Sequence, residues 1–134
     1  MTTFRAAVEA RDLDAIGTML AEDVVFRSPV VFKPYRGRAI TSAILRTVTE
    51  VFEDFHYVRE VRDPSGEEVL VFEAKVDGLE LTGCDLLRYD AEGKIVDFMV
   101  MVRPLRAAQT LQREMAARFA QIEADAIAAA TVHD

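Results

Sequence analysis

The apolar period of this chain changes near residue 53, and that change limits the possible folds more than any other feature. Before it, apolar residues recur at steps of three and four. Phe4, Ala7, Val8, Leu13, Ile16, Met19 and Leu20 predict helix over 3–21. Ile40, Ile44, Leu45, Val48 and Phe52 predict helix over 38–53. Asp12 can cap a helix beginning at Leu13, because acids are favoured at the partly positive helix start. Between these stretches Val24-Val25-Phe26 is a short β-rich run stopped by Ser28-Pro29, and residues 30–37, with Pro34 and Gly37, read as loop.

Beyond that point the runs 55–62, 67–77, 79–89 and 94–103 are rich in Val, Phe, Tyr, Leu and Ile. The gaps carry turn chemistry: Asp63-Pro64-Ser65-Gly66, Asp77-Gly78 and Asp90-Ala91-Glu92-Gly93. Three successive hairpins make an antiparallel meander. Helices first and strands afterwards indicate an α+β fold, with helices on one face of a curved sheet. Residues 104–130 return to helical spacing through Leu105, Ala108, Leu111, Met115, Phe119, Ile122 and Ala126, with Pro104 at the first turn. That predicts one amphipathic C-terminal helix, which either covers its own domain, meets a second copy or lids a pocket. At 134 residues the expectation is one domain over 1–134, with 104–130 as its helical extension.

Composition narrows the partners. Sixteen basic against 23 acidic residues leave a net charge of −7, which speaks against nucleic acid and against an anionic membrane surface. No run approaches the roughly 18 apolar residues needed to span a bilayer. The single cysteine, Cys84, can form no internal disulfide, and the start of the chain does not look like a signal peptide, so the expected compartment is cytoplasmic. With one cysteine and the two histidines His56 and His133, no soft-metal cluster can be written, and neither metal nor cofactor is expected.

Asp85 stands out on chemistry alone. It follows Gly83-Cys84 and precedes Leu86-Leu87 in an apolar strand, and period two puts Gly83, Asp85 and Leu87 on one face. If that face is the inner one, burial favours the neutral acid, a donor to a ligand's carbonyl or enolate oxygen. The competing reading is a structural acid paired with Arg27, Arg59 or Arg103. His56, in Phe55-His56-Tyr57-Val58, is the candidate base, or else an exposed strand histidine. Ser28 is a pocket group or a strand end. Tyr35, in the Pro-Gly loop, and Tyr57 can each bring a phenol into a cavity. Leu70, Phe72, Ala74 and Val76 share one strand face, and Val96, Phe98, Val100 and Val102 another. These are core, with any unfilled remainder forming an apolar cavity with a few polar groups. Asp97, Met99, Met101 and Ile95 fall on the opposite face, with Glu73 and Lys75 from a neighbouring strand, and such a face is solvent or a dimer interface.

The order of elements carries four stretches: Ala10–Ile16, Phe26-Arg27-Ser28-Pro29, Arg36–Ile40 and Cys84–Val96. Together they resemble the cone-shaped α+β fold of the nuclear transport factor 2 superfamily, in its SnoaL-like and ketosteroid-isomerase-like branch, from about Phe4 to Arg103. The resemblance implies a cone-shaped, mostly antiparallel sheet with the N-terminal helices on its concave face, and a homodimer through the sheet. In ketosteroid isomerases a tyrosine on the first helix and a protonated strand aspartic acid form an oxyanion hole, and an aspartate before a proline is the base. The strand aspartate falls on Asp85, the tyrosine position on Phe4 and the base position on Ser28. One of three groups is present, which counts against steroid isomerisation by the usual mechanism. The Asp-Arg-Asp set of limonene epoxide hydrolase falls near Phe72 and Val100, neither ionisable. SnoaL-type cyclases use an acid on the final strand, where this chain has Asp97 on the outward face.

The expectation is therefore a protein that binds a small apolar molecule carrying a carbonyl. Asp85 and His56 are its candidate acid and base. Phe4, Phe26, Ser28, Tyr35, Phe72, Phe98 and Val100 are its candidate ligand contacts. The chemistry implied by the resemblance is proton transfer next to the carbonyl, as in an isomerase or cyclase. The alternative is a non-catalytic dimeric binding or protein-interaction module.

Overall fold

Two short helices open the chain, and each is set by a capping side chain. In the computed structural model, which describes residues 3–132 and so leaves His133 outside, α1 (Phe4–Glu9) and α2 (Leu13–Met19) follow Thr3 and Asp12. Thr3 accepts from the Ala6 amide and Asp12 from the Ala15 amide, both at 3.1 Å. The helical spacing runs through Leu20, yet Leu20 opens strand β1 (Leu20–Arg27), where it pairs with Ile95. Both residues are fully buried there, so tertiary packing overrides the local period. Within the 30–37 loop, Tyr35–Arg36 forms a two-residue strand, β2, against β1, and α3 (Arg38–Val51) follows Gly37.

Strands β3 (Glu53–Asp63), β4 (Glu67–Val76), β5 (Leu79–Tyr89) and β6 (Ile95–Arg103) form the expected meander. The sheet order is β2-β1-β6-β5-β4-β3, antiparallel throughout except for the β1–β6 pair. Asp77 and Gly78 have φ of 49° and 78°. Those values make the two-residue turn whose twist matches its flanking strands. The fold is thus α+β, with helices on one face of a six-stranded, mostly antiparallel sheet.

Period two decides which residues face the helices. Leu70, Phe72, Ala74 and Val76 of β4 are buried, as are Leu81, Asp85 and Leu87 of β5. Burying each large apolar side chain contributes about 1.5–3 kcal/mol. On β6 the parity is broken: Arg88 pairs with Asp97 but Tyr89 with Ile95. The extra residue turns Ile95 inward, where it is fully buried, so the expectation that it shares the outer face with Asp97 is corrected. Met101 does face outward, half exposed. Gly83 sits beneath the Phe72 ring, and a Cβ there would also stand 2.8 Å from the Met101 carbonyl oxygen.

The C-terminal stretch is two helices rather than one, α4 (Leu105–Ala117) and α5 (Phe119–Val132). Arg118 breaks the ladder with φ −107° and ψ 1°, and its guanidinium takes the Glu114 carbonyl at 2.8 Å. The turn lets Ile122 pack, fully buried, against Phe26, Ala43 and Ile44.

Candidate functional site

Where the sheet's inner face and the helices fail to close on one another they leave a cavity of about 490 Å³. That is the size of a small-molecule site. Its floor is Phe72, Phe98 and Val100. Phe4 of α1 and Leu45 of α3 form its walls, and Met115 of α4 and Phe119 of α5 lie across it. Ring-on-ring packing fixes the aromatic part: Phe4 meets Phe98 edge-on at 5.4 Å, and Phe52 lies 5.6 Å from Phe72.

Into this apolar space β5 projects Asp85 and β3 projects Tyr57. Asp85 is 6% exposed, and the Tyr57 hydroxyl donates to its Oδ2 at 3.3 Å. Among the described residues no arginine holds Asp85: Arg27 pairs with Asp97 at 3.4 Å instead. Burial pushes the Asp85 carboxyl from its ordinary 3.8 up to about 7, partly offset by the Tyr57 hydrogen bond and reinforced by the charge of Glu68. Burial, then the neighbouring Asp85 charge, raises the Tyr57 phenol well above its ordinary value, so it stays a donor. The ring is fixed by Phe55, edge-on at 5.0 Å, and by the Arg5 guanidinium 5.6 Å above it. Near neutral pH, Asp85 therefore exists in both forms. Neutral, it brings an O–H of its own into the cavity; ionised, it can accept a proton.

All nine residues singled out from the sequence line this one cavity: Asp85, His56, Phe4, Phe26, Ser28, Tyr35, Phe72, Phe98 and Val100. Their chemistry there differs from residue to residue. His56 lies at the exposed edge, with Nδ1 2.9 Å from the Asp54 carbonyl and Nε2 3.2 Å from Glu73 Oε1. The Asp54 carbonyl raises its pKa, burial offsets part of that, and Glu73 raises it further. Both ring nitrogens are thus engaged at the cavity's edge by Asp54 and Glu73. Ser28 Oγ accepts from the Val30 amide at 3.1 Å and so closes the turn at the end of β1. Tyr35 lies 5.9 Å from Phe119, with its pKa raised by burial and by Glu123.

Sequence reasoning did not single out Glu68. It is 3% exposed, with its carboxylate bound by Arg62 Nη2 at 2.6 Å, Arg62 Nε at 3.1 Å and the Tyr89 hydroxyl at 2.8 Å. The signal was available, since Glu68 has the same parity as Leu70 and Phe72. Among the described residues no group of three or more His, Cys, Asp or Glu side chains is placed to hold a metal ion. No helix among them is long and apolar enough to cross a membrane.

A helix-covered sheet of this topology around one cavity is the NTF2-like, ketosteroid-isomerase-like fold. Residues 1–98 match the SnoaL-like domain, and the chain belongs to that family. It is similar to a steroid delta-isomerase from Pseudomonas aeruginosa, at 44% identity over 90% of this chain and 89% of that one, with a TM-score of 0.84. It is also similar to an uncharacterized protein with a cystatin-like fold from Silicibacter pomeroyi, at 35% identity over 86% and 81% of the two chains, with a TM-score of 0.81. A hypothetical protein of ketosteroid-isomerase-like fold from Catenulispora acidiphila, in complex with trimethylamine, shares the fold at 18% identity. It aligns over 78% of this chain and 85% of that one, with a TM-score of 0.59. No protein of curated function matches.

Proposed function

We propose that the protein binds a small, mainly apolar molecule and seats its carbonyl oxygen on Tyr57 and Asp85. The observation that carries this reading is a buried phenol–carboxyl pair, 3.3 Å apart, on the lining of an otherwise apolar cavity. When a ligand carbonyl enters, the Tyr57 O–H turns from Asp85 Oδ2 to the ligand oxygen, beside the O–H of neutral Asp85, and two donors on one oxygen in an apolar site stabilise negative charge as it develops there. The site thus polarises a carbonyl, the first half of isomerase-type proton transfer at the adjacent carbon. In the isomerase pattern the phenol comes from the first helix; here that position is Phe4 and the phenol comes from β3. Asp85 is the acid of the site, and the Ser28 position supplies no carboxylate base. The steroid delta-isomerase at 44% identity supports a flat, lipophilic ketone as the ligand class.

The test is a binding titration of lipophilic ketones against the wild type, Tyr57→Phe and Asp85→Leu. A lost hydrogen bond of about 1–1.5 kcal/mol weakens affinity roughly tenfold in each variant. Failure of every ketone to bind, or unchanged affinity in both variants, overturns the reading.

A second copy on the outer sheet face is the companion proposal. It is supported by Val61 at 56% and Met101 at 51% exposure, apolar side chains on a face otherwise rich in charge. A reducing, cytoplasmic setting suits a chain whose single cysteine can form no internal disulfide.

A further inference from the structure

A second carboxyl lies one register step from Asp85. The β4–β5 ladder pairs Leu70 with Asp85 and Glu68 with Leu87, so Glu68 and Asp85 are diagonal neighbours on the helix-covered face. Both are buried, at 3% and 6% exposure. Each is bound by a phenol, Tyr89 on Glu68 and Tyr57 on Asp85. The difference between them is a guanidinium. Arg62 reaches over from β3, with its own side chain 58% exposed, and holds Glu68 through two N–H groups.

Two carboxylates buried as diagonal neighbours on one sheet face repel, so one of them holds its proton to a higher pH. The guanidinium decides which. Glu68 has a fixed counter-charge and takes the ionised role, whereas the partner of Asp85 is a neutral phenol. We propose that Glu68 is a positioning residue for the site: fixed as the ionised member by Arg62 and Tyr89, it keeps the proton on Asp85 and so makes Asp85 a donor to the ligand's oxygen. This rests on the reading of Asp85 as the oxygen-binding group. Other charges face the same region: Arg5 and Glu9 of α1 act on Tyr57, and Glu60 of β3 acts on Tyr89 and Arg62. Glu68 acts on Asp85 itself.

The experiment follows the Asp85 carboxyl carbon by NMR in the full chain, labelled with carboxyl-¹³C aspartate, from pH 4 to 9. In Glu68→Gln the like charge is gone, and the midpoint falls by about half a pH unit or more, the scale of a Coulomb interaction at this separation. In Arg62→Gln the Glu68 carboxylate loses its counter-charge, its repulsion reaches Asp85 unscreened, and the Asp85 midpoint rises. A merely structural role for the cluster does not move the midpoint in opposite directions in the two variants. Unchanged midpoints, or shifts of the same sign, overturn the inference. Should Glu68→Gln fail to fold, Arg62→Gln decides alone, since Arg62 is largely solvated: a rise supports the inference and anything else overturns it. Absence of ketone binding strikes the functional reading and leaves these shifts intact; ketone binding with unmoved midpoints strikes only the role of Glu68.

Discussion

Replacing Asp85 by Asn should remove a pH dependence from the stability of the fold. The substitution keeps the shape and a partner for Tyr57 but cannot ionise. In the folded protein burial raises the Asp85 midpoint from 3.8 to about 7, so between those values the folded state binds more protons than the unfolded chain. The contribution of Asp85 is therefore fully present below about pH 4 and is lost as pH rises through 7. At about 1.4 kcal/mol per unit, the whole loss is on the order of 4 kcal/mol, and about 2–3 kcal/mol of it falls between pH 5 and 8. Other groups titrate too, so the informative quantity is the difference between wild type and Asp85→Asn. Urea unfolding followed by circular dichroism at pH 5, 6, 7 and 8 supplies it. The wild type should lose about 2–3 kcal/mol relative to the variant across that range. A difference constant to within about 0.5 kcal/mol would refute the enclosure of this carboxyl.

Further outcomes follow from named contacts. Tyr57→Phe removes the hydrogen bond that favours the ionised carboxyl, so the Asp85 midpoint should rise above about 7, visible by carboxyl NMR. Gly83→Ala forces both the Phe72 ring and the Met101 carbonyl to move and should cost about 1–3 kcal/mol in denaturant unfolding. If wild type exchanges the acidic C–H of a bound ketone with solvent deuterium, Asp85→Asn should abolish that exchange, measured by proton NMR of the ketone. Met101→Glu on the half-exposed outer face should turn a dimer into monomers in light scattering, and a monomeric wild type would count against the pairing proposed.

Much of this architecture is legible because it rests on short-range rules. Asp77-Gly78 fixes a hairpin, Asp12 caps α2, and parity places Asp85 and Phe72 on the buried face. What escapes the sequence depends on several registers at once. Tyr57 and Asp85 lie 28 positions apart on strands separated by β4, and irregularities between Glu53 and His56 and between Tyr57 and Arg59 shift the β3 register. Alternation alone therefore does not say that they meet. Ile95 was misplaced for the same reason, by one extra residue at the start of β6. The break at Arg118 has no glycine or proline to announce it, because it arises where Ile122 packs against α3. Glu68 could have been found by parity, but its importance lies in Arg62 and Tyr89, which only the folded chain brings to it.

The most direct test of the site is the carbonyl itself. A lipophilic ketone, ¹³C-labelled at its carbonyl, is bound to the protein and its carbon shift is compared with that of the free ketone in hexane. Two O–H donors on the oxygen draw electron density from the carbon, so the account predicts a displacement downfield by several ppm that collapses in the Tyr57→Phe/Asp85→Leu double variant. A bound ketone whose carbonyl resonates as it does in hexane, or whose shift is the same in wild type and double variant, contradicts it.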